Sequence, residues 1–317
     1  MTPSELKQFI RDTATQLGFS HLGIAPTSHD TITKRRLQQW LDNGYHASMK
    51  WMSTRSEERS NIYKYFPEAK SVISLSMNYF TGNAGDNNNF TKISNYAWGD
   101  DYHVTIKPRL YELLNSIKAN NPEVDGIVCI DTAPMMEKAW AQKAGVGWIG
   151  KHTNLITPDY GSWIFLGEVI LNIELEYDMP FKEDLCGSCT ACLDACPTNA
   201  FPEPYVLDAS KCISYLTIEH RGDVPVGFEN KLSGWIYGCD ICQEVCPWNI
   251  KFSQTSEEES FHQRDNLKQH IDDWNQLTLD EFRILFKKST VKRTKFEGLK
   301  RNIHNVRTSI IKSSNSS

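Results

Sequence analysis

Eight of the chain's nine cysteines fall between Cys186 and Cys246, and that crowding constrains the fold more than any other feature. Met1 to Phe19 mixes Glu5, Lys7, Arg11 and Asp12 with apolar positions, which does not read as a signal peptide. A cytoplasmic location is therefore expected, and a reducing compartment does not keep eight thiols in disulfides. Thiols gathered in this way require a metal.

The spacing says which metal. Cys186, Cys189, Cys192 and Cys196-Pro197 follow C-x2-C-x2-C-x3-C-P, the spacing of bacterial two-cluster ferredoxins. Cys239, Cys242 and Cys246-Pro247 form a second run, and Cys212 upstream supplies its missing thiolate. In that arrangement the fourth cysteine of each run ligates the other cluster. Cys186, Cys189, Cys192 and Cys246 are thus assigned to one [4Fe–4S] cluster, and Cys196, Cys212, Cys239 and Cys242 to the other. A pair of structural zinc sites is the alternative, but the repeated C-x3-C-P ending has no role in a zinc ribbon. Two adjacent clusters imply one-electron relay.

The 317 residues, 40% hydrophobic and 23% charged, suit a folded chain and exclude collagen-like, coiled-coil and wholly disordered classes. No apolar run approaches the ~18 residues that cross a bilayer. Helix and strand signals alternate ahead of the cysteines. Thr2-Pro3-Ser4-Glu5 is a capping-box start. Strands are predicted over His21–Pro26, Ser71–Tyr79 (half-buried), Gly126–Ile130 and Trp163–Ile173, and helices over Thr31–Asn43, Arg109–Lys118 and Pro134–Ala144. Thr81 to Asn89 reads as a polar loop. The expected layout is a mixed α+β or α/β domain over 1–178, a two-cluster domain over 179–252, and a helical segment with a basic tail over 253–317.

Gly145-Val-Gly147-Trp-Ile-Gly150 matches a dinucleotide fingerprint literally, but a helix rather than a strand precedes it. A glycine-rich backbone approaching another large cofactor is the better reading. Asp131 stands at the end of a strand, where ligands collect in α/β sheets. It is either a proton donor whose pKa apolar surroundings raise, or a helix cap; position alone does not decide.

These residues together resemble the epoxyqueuosine reductase family. The likeness rests on Asp131-Thr-Ala-Pro-Met-Met-Glu137-Lys-Ala-Trp, Ala144-Gly-Val-Gly-Trp-Ile-Gly-Lys151, Gly161-Ser-Trp, Gly167-Glu168 and Cys186 to Pro197. It continues through Cys212-Ile-Ser214-Tyr-Leu-Thr217, Tyr237-Gly-Cys239-Asp240 and Arg301-Asn302. The resemblance implies a nitroreductase-like cobalamin-binding domain joined to a two-[4Fe–4S] ferredoxin-like domain. It implies reduction of epoxyqueuosine to queuosine at the tRNA wobble position, the last step of queuosine biosynthesis, with cob(II)alamin as cofactor. Asp131 would donate a proton to the departing oxygen. Arg59, Ser94, Asp131, Leu155, Leu166, Ser214 and Asp240 would contact cobalamin. Asp101-Tyr-His103 fails the D-x-H-x-x-G pattern, so no histidine is expected to replace the cofactor's lower base. Some relatives carry a further helical-repeat domain, which is not expected here.

Lys287 to Lys312 holds nine Lys or Arg against the single acid Glu297, with Phe296 among them. Basic residues beside an aromatic suit phosphate contact with base stacking. With the resemblance, Lys292, Arg293, Lys295, Arg301 and Asn302 are expected to face tRNA, with His220 and Arg221. A low-potential electron donor and a monomeric state are expected too. The alternative activity, corrinoid reductive dehalogenation, usually accompanies a twin-arginine signal; Arg35-Arg36 lies too far in and lacks a following apolar run.

Overall fold

The computed structural model describes residues 1–83, 91–267 and 269–314 of the chain, so most of the loop predicted from Thr81 lies outside them. Helix α1, Pro3–Gln16, starts as the sequence requires: the Thr2 hydroxyl accepts the Glu5 N–H while the Glu5 carboxylate accepts that of Thr2. It buries Leu6, Ile10 and Ala14. Strand β1 (His21–Pro26) leads into α2 (Thr31–Asp42), whose cap Asp30 is paired with Lys143. Then follow β2 (Ser71–Asn78), α3 (Tyr102–Asn120), β3 (Gly126–Cys129), α4 (Glu137–Lys143) and β4 (Ile164–Leu171).

The four strands make one sheet in the order β1-β2-β4-β3, antiparallel throughout. Ile24 faces Ile73, Ile73 faces Val169, and Val169 faces Val128. Asp131 therefore does not sit at the carboxyl edge of a parallel sheet, and the strand-end rule that singled it out does not apply. Strand β2 is buried at every position, not half-buried as its alternation predicts. Ile73, Leu75 and Met77 pack with Ile10, Leu110 and Leu113 of α1 and α3. Val72, Ser74 and Ser76 alternate onto the opposite face, which α4 covers. Serines there are small enough to lie beneath a helix. Helix α3 begins earlier than predicted, capped by Asp101, and carries Pro108 inside it, where a proline ordinarily ends a helix.

The divisions expected at 178 and 252 do not separate cores. Lys92–Ile93 pairs in parallel with Trp235–Tyr237. Ile93 and Trp98 share one hydrophobic cluster with Ile213, Trp235, Trp274, Phe282, Leu299 and Ile303. The basic tail is a packed helix, Lys295–Ser314, rather than a solvated terminus. No helix among the described residues is long and apolar enough to cross a membrane.

Candidate active site and cluster module

The cysteine region is built from short turns whose N–H groups aim at sulfur. Cys212 caps the helix Ile213–Ile218 and receives the backbone N–H groups of Ser214 and Tyr215. Cys246 caps Pro247–Phe252, with proline in the first turn, and receives those of Trp248 and Asn249. Cys196 Sγ accepts from Ala200 N at 3.3 Å. All nine cysteines are free. Burial pushes the Cys192 thiol up to about 11, and the neighbouring charges of Cys246, Cys186 and Cys189 add to the shift. Burial, then Cys242 and Cys212 among its neighbours, raises Cys239; burial and Cys196 raise Cys212. Thiols so close that each opposes its neighbours' ionisation suit a metal centre, which stabilises them as thiolates. The donor set fits iron–sulfur clusters.

Asp131 occupies a strained turn after β3, with φ +42°, a left-handed conformation that a non-glycine residue holds only when its surroundings enforce it. Its side chain is 59% open to solvent. The Tyr102 hydroxyl donates to its carboxylate, and His103 Nε2 stands 3.4 Å from Oδ2. The His103 ring stacks on Tyr102 with centroids 4.2 Å apart. On its other side, His103 Nδ1 lies 2.8 Å from Oδ1 of Asp101, whose Oδ2 meets Lys292 Nζ at 2.9 Å. The result is a chain of charge: Lys292, Asp101, His103, Asp131.

This chain reverses the expected charge state of Asp131. Burial would raise its pKa, as the sequence reading supposed, but His103 and then Tyr102 outweigh that and hold it below the ordinary aspartate value. Burial would likewise lower His103, yet its hydrogen bond to Asp101 and the Asp131 carboxylate 3.4 Å from Nε2 carry it up to about 9. At neutral pH the proton resides on the imidazole. His103 was not among the expected site residues, although an Asp-x-His pair straddling a helix cap was a visible signal.

Leu155 and Leu166 line one cavity with Ile164, Tyr79, Lys138, Asn154, Ser162 and Gln243. Tyr79 and Gln243 connect it to Asp240, a fully buried carboxyl that accepts hydrogen bonds from Ser94 Oγ and Asn95 N. Burial raises Asp240 to about 7 against those two donors. Arg59 is buried on the Asp131 side: its Nη1 donates to Met135 O, its guanidinium lies 5.2 Å over the Trp51 ring, and its Nε has no partner among the described residues. An apolar wall with unspent donors beside it fits a large amphipathic cofactor. The glycine run does not line it as expected. Gly147 sits against Ile156, where a Cβ would lie 2.1 Å from the backbone oxygen, and Gly145 against Met179 O.

The expected nucleic-acid residues divide. Lys292, Arg293 and Lys295 are exposed, and Arg293 is close enough to feel the Asp131 charge. Arg293 also pairs with both oxygens of Glu219, at 2.8 and 3.0 Å. His220 and Arg221 lie near it but are engaged with backbone carbonyls of Asp223, Ile218 and Arg293. Arg301 spends its guanidinium on the carbonyls of Leu216, His220 and Gly222. Asn302 has no exposed surface and donates to Thr217 O and Ile236 O, so it is a packing residue and not a tRNA contact.

A strained carboxylate turn, an amphipathic cavity lined by Gln243 of the second cysteine run, and eight free thiols in two runs define an iron–sulfur oxidoreductase. Residues 185–249 match the 4Fe-4S double cluster binding domain, and residues 59–132 match the family described as Epoxyqueuosine reductase QueG, DUF1730. The epoxyqueuosine reductase of Leadbetterella byssophila is 47% identical over 294 residues, covering 93% of this chain and 96% of its own. The chain belongs to the epoxyqueuosine reductase family. A solved epoxyqueuosine reductase with an epoxyqueuosine-modified tRNA-Tyr stem loop superposes with TM-score 0.87 at 27% identity, over 99% of this chain and 84% of that one. One from Bacillus subtilis, with its catalytic aspartate loop swung out of the active site, gives the same TM-score, identity and coverage.

Proposed function

We propose that this protein reduces the epoxide of epoxyqueuosine, at the wobble position of tRNA, to the alkene of queuosine. The observation that carries the reading is the Asp131 turn, paired with His103 at 3.4 Å, in a chain whose Leu155–Leu166 cavity reaches Gln243 of the second cysteine run. When bound, cobalamin and two [4Fe–4S] clusters supply the single electrons that carbon–oxygen cleavage needs. Cys186, Cys189, Cys192 and Cys246 would hold one cluster, and Cys196, Cys212, Cys239 and Cys242 the other. Leu155 and Leu166 would give cobalamin its apolar wall, Ser94, Ser214 and Asp240 would meet it from the cysteine side, and Arg59 would close the Asp131 side.

Opening an epoxide to alkene and water consumes two electrons and two protons. Asp131 presents its carboxylate to the departing oxygen, and His103 behind it holds a proton at neutral pH. Asp101 and Lys292 keep the imidazole oriented and charged. Transfer through Asp131 to the leaving oxygen is general acid catalysis by a pair, as a low-pKa acid alone is not protonated at pH 7. Lys292, Arg293 and Lys295 would meet the phosphates of the anticodon stem loop. A low-potential reductant, a monomeric enzyme and a cytoplasmic location complete the reading.

The test is mass analysis of nucleosides after anaerobic incubation of reconstituted protein with epoxyqueuosine-bearing tRNA and a strong reductant. Queuosine is expected. Asp131→Ala should keep its iron, sulfide and cobalamin content and lose about a hundredfold or more in turnover. Full activity in that variant would remove Asp131 from the mechanism.

A further inference from the structure

Two carboxyl groups behind the Asp131 turn, Glu168 fully buried and Glu137 half-buried, take no part in the array above. Glu168, in the middle of β4, has no exposed surface, and neither of its carboxyl oxygens has a hydrogen-bond partner among the described residues. Its register partners are Ser74 on β2 and Cys129 on β3, and the Ser74 hydroxyl is also buried without a partner. Helix α4 covers this face and opens with Glu137. The Glu137 carboxyl accepts the backbone N–H of Asp131, while its Oε1 is buried and unpartnered.

The surroundings of Glu137 are mixed but do not neutralise it. Asp131 and Glu168 oppose its charge, Lys138 and Arg59 favour it, and Tyr102 and Cys129 face it as neutral groups. Burial and then Asp131 push it up to about 7. Burial and then Glu137 raise Glu168 well above the usual carboxylate range. Glu168, fully buried with no donor on either oxygen, and the half-buried Glu137 beside it, with one N–H, cannot both be charged, since a buried carboxylate without donors costs several kcal/mol to desolvate.

The reaction makes one water from the epoxide oxygen, which takes two protons as both carbon–oxygen bonds break and two electrons enter. At neutral pH, Asp131 and His103 hold one transferable proton between them. We propose that Glu137 and Glu168 store the second proton and pass it from Glu137 across the Asp131 turn to the departing oxygen. Glu137 is left as carboxylate and the pair refills from solvent between turnovers. This inference rests on the epoxide-reduction reading.

Glu137→Gln keeps an acceptor for the Asp131 N–H and removes the titrating proton. In single-turnover reactions of the reconstituted enzyme with epoxyqueuosine-bearing tRNA, the parent rate should fall with rising pH in two steps, near 7 and near 9. E137Q should lose the step near 7 and run about tenfold slower at low pH, within what one proton-transfer group contributes. A profile identical to the parent's overturns the proposal. An infrared spectrum of the substrate-free protein supplies a readout independent of turnover. A carboxylic-acid carbonyl band at neutral pH that Glu168→Gln removes is expected, and absence of such a band from the parent overturns the proposal as well. If the parent makes no queuosine, the functional reading falls and takes the stored proton's use with it, whether or not the band is present.

Discussion

His103 sets the charge of Asp131, and its own charge depends on Asp101. Because the folded-state pKa of His103 is raised to about 9, its protonated form contributes stability fully below its ordinary value of 6.5, and that contribution is lost as pH rises through 9. Activity that draws on the same proton should fall over the same upper range. Asp101→Asn removes the largest favourable partner, so the alkaline limb of the rate profile should move to lower pH while cluster content stays constant. An unmoved limb in a pH–rate titration would separate His103 from the proton path. The cluster cysteines were legible from the sequence because cluster ligation fixes their spacing along the chain. The charge state of Asp131 was not, because its partners Tyr102 and His103 come from the start of a helix far away in sequence, and only folding sets them beside it.

At the level of elements, helix Lys295–Ser314 matters less as a basic surface than as a plug. Arg301 and Asn302 project from it onto the carbonyls that end the helix Ile213–Ile218, and Asn302 also reaches Ile236 on the short strand. Asn302→Ala should take the side-chain donor from Ile236 O and leave Thr217 O with the Thr294 hydroxyl alone, costing about 1–3 kcal/mol, read as a lowered denaturant midpoint. Arg301→Ala should act in the same direction, with little change in tRNA affinity. Helix caps follow the sequence rule here: in Thr278-Leu279-Asp280-Glu281, Thr278 caps Leu279–Leu285 and Glu281 reaches back to it. What the pattern could not tell apart was an arginine that binds phosphate from one that binds carbonyls, since both look the same in a basic run. The full burial of β2 escaped for a related reason. Serines alternate with apolar residues in a half-buried strand, and they do so again where a helix covers them.

Across the molecule, the RNA footprint proposed above consists of three exposed cations, Lys292 and Arg293 beside the Asp131 site and Lys295 on the same segment. Each phosphate contact should contribute about 0.7–0.9 to the slope of log affinity against log salt. Replacing Lys292, Arg293 and Lys295 by alanine should flatten that slope by about two units, less than three full contacts because Lys292 and Arg293 are already paired with Asp101 and Glu219. Fluorescence anisotropy of a labelled anticodon stem loop across a salt series measures it, and an unchanged slope would move the interface elsewhere. The joining of distant segments was the least legible feature at this scale. Ile93 and Trp98 come from the amino-terminal half, yet their packing partners begin at Ile213 and run to Val306. Ribosomes deliver a polypeptide from one end, and early segments ordinarily settle as they emerge. This one leaves Ile93 and Trp98 waiting until residues 213 to 306 have been made. Gene fragments cut between the sheet and the cysteines should therefore yield two incomplete pieces, and co-expressing them, rather than mixing them after purification, is the way to recover an intact enzyme.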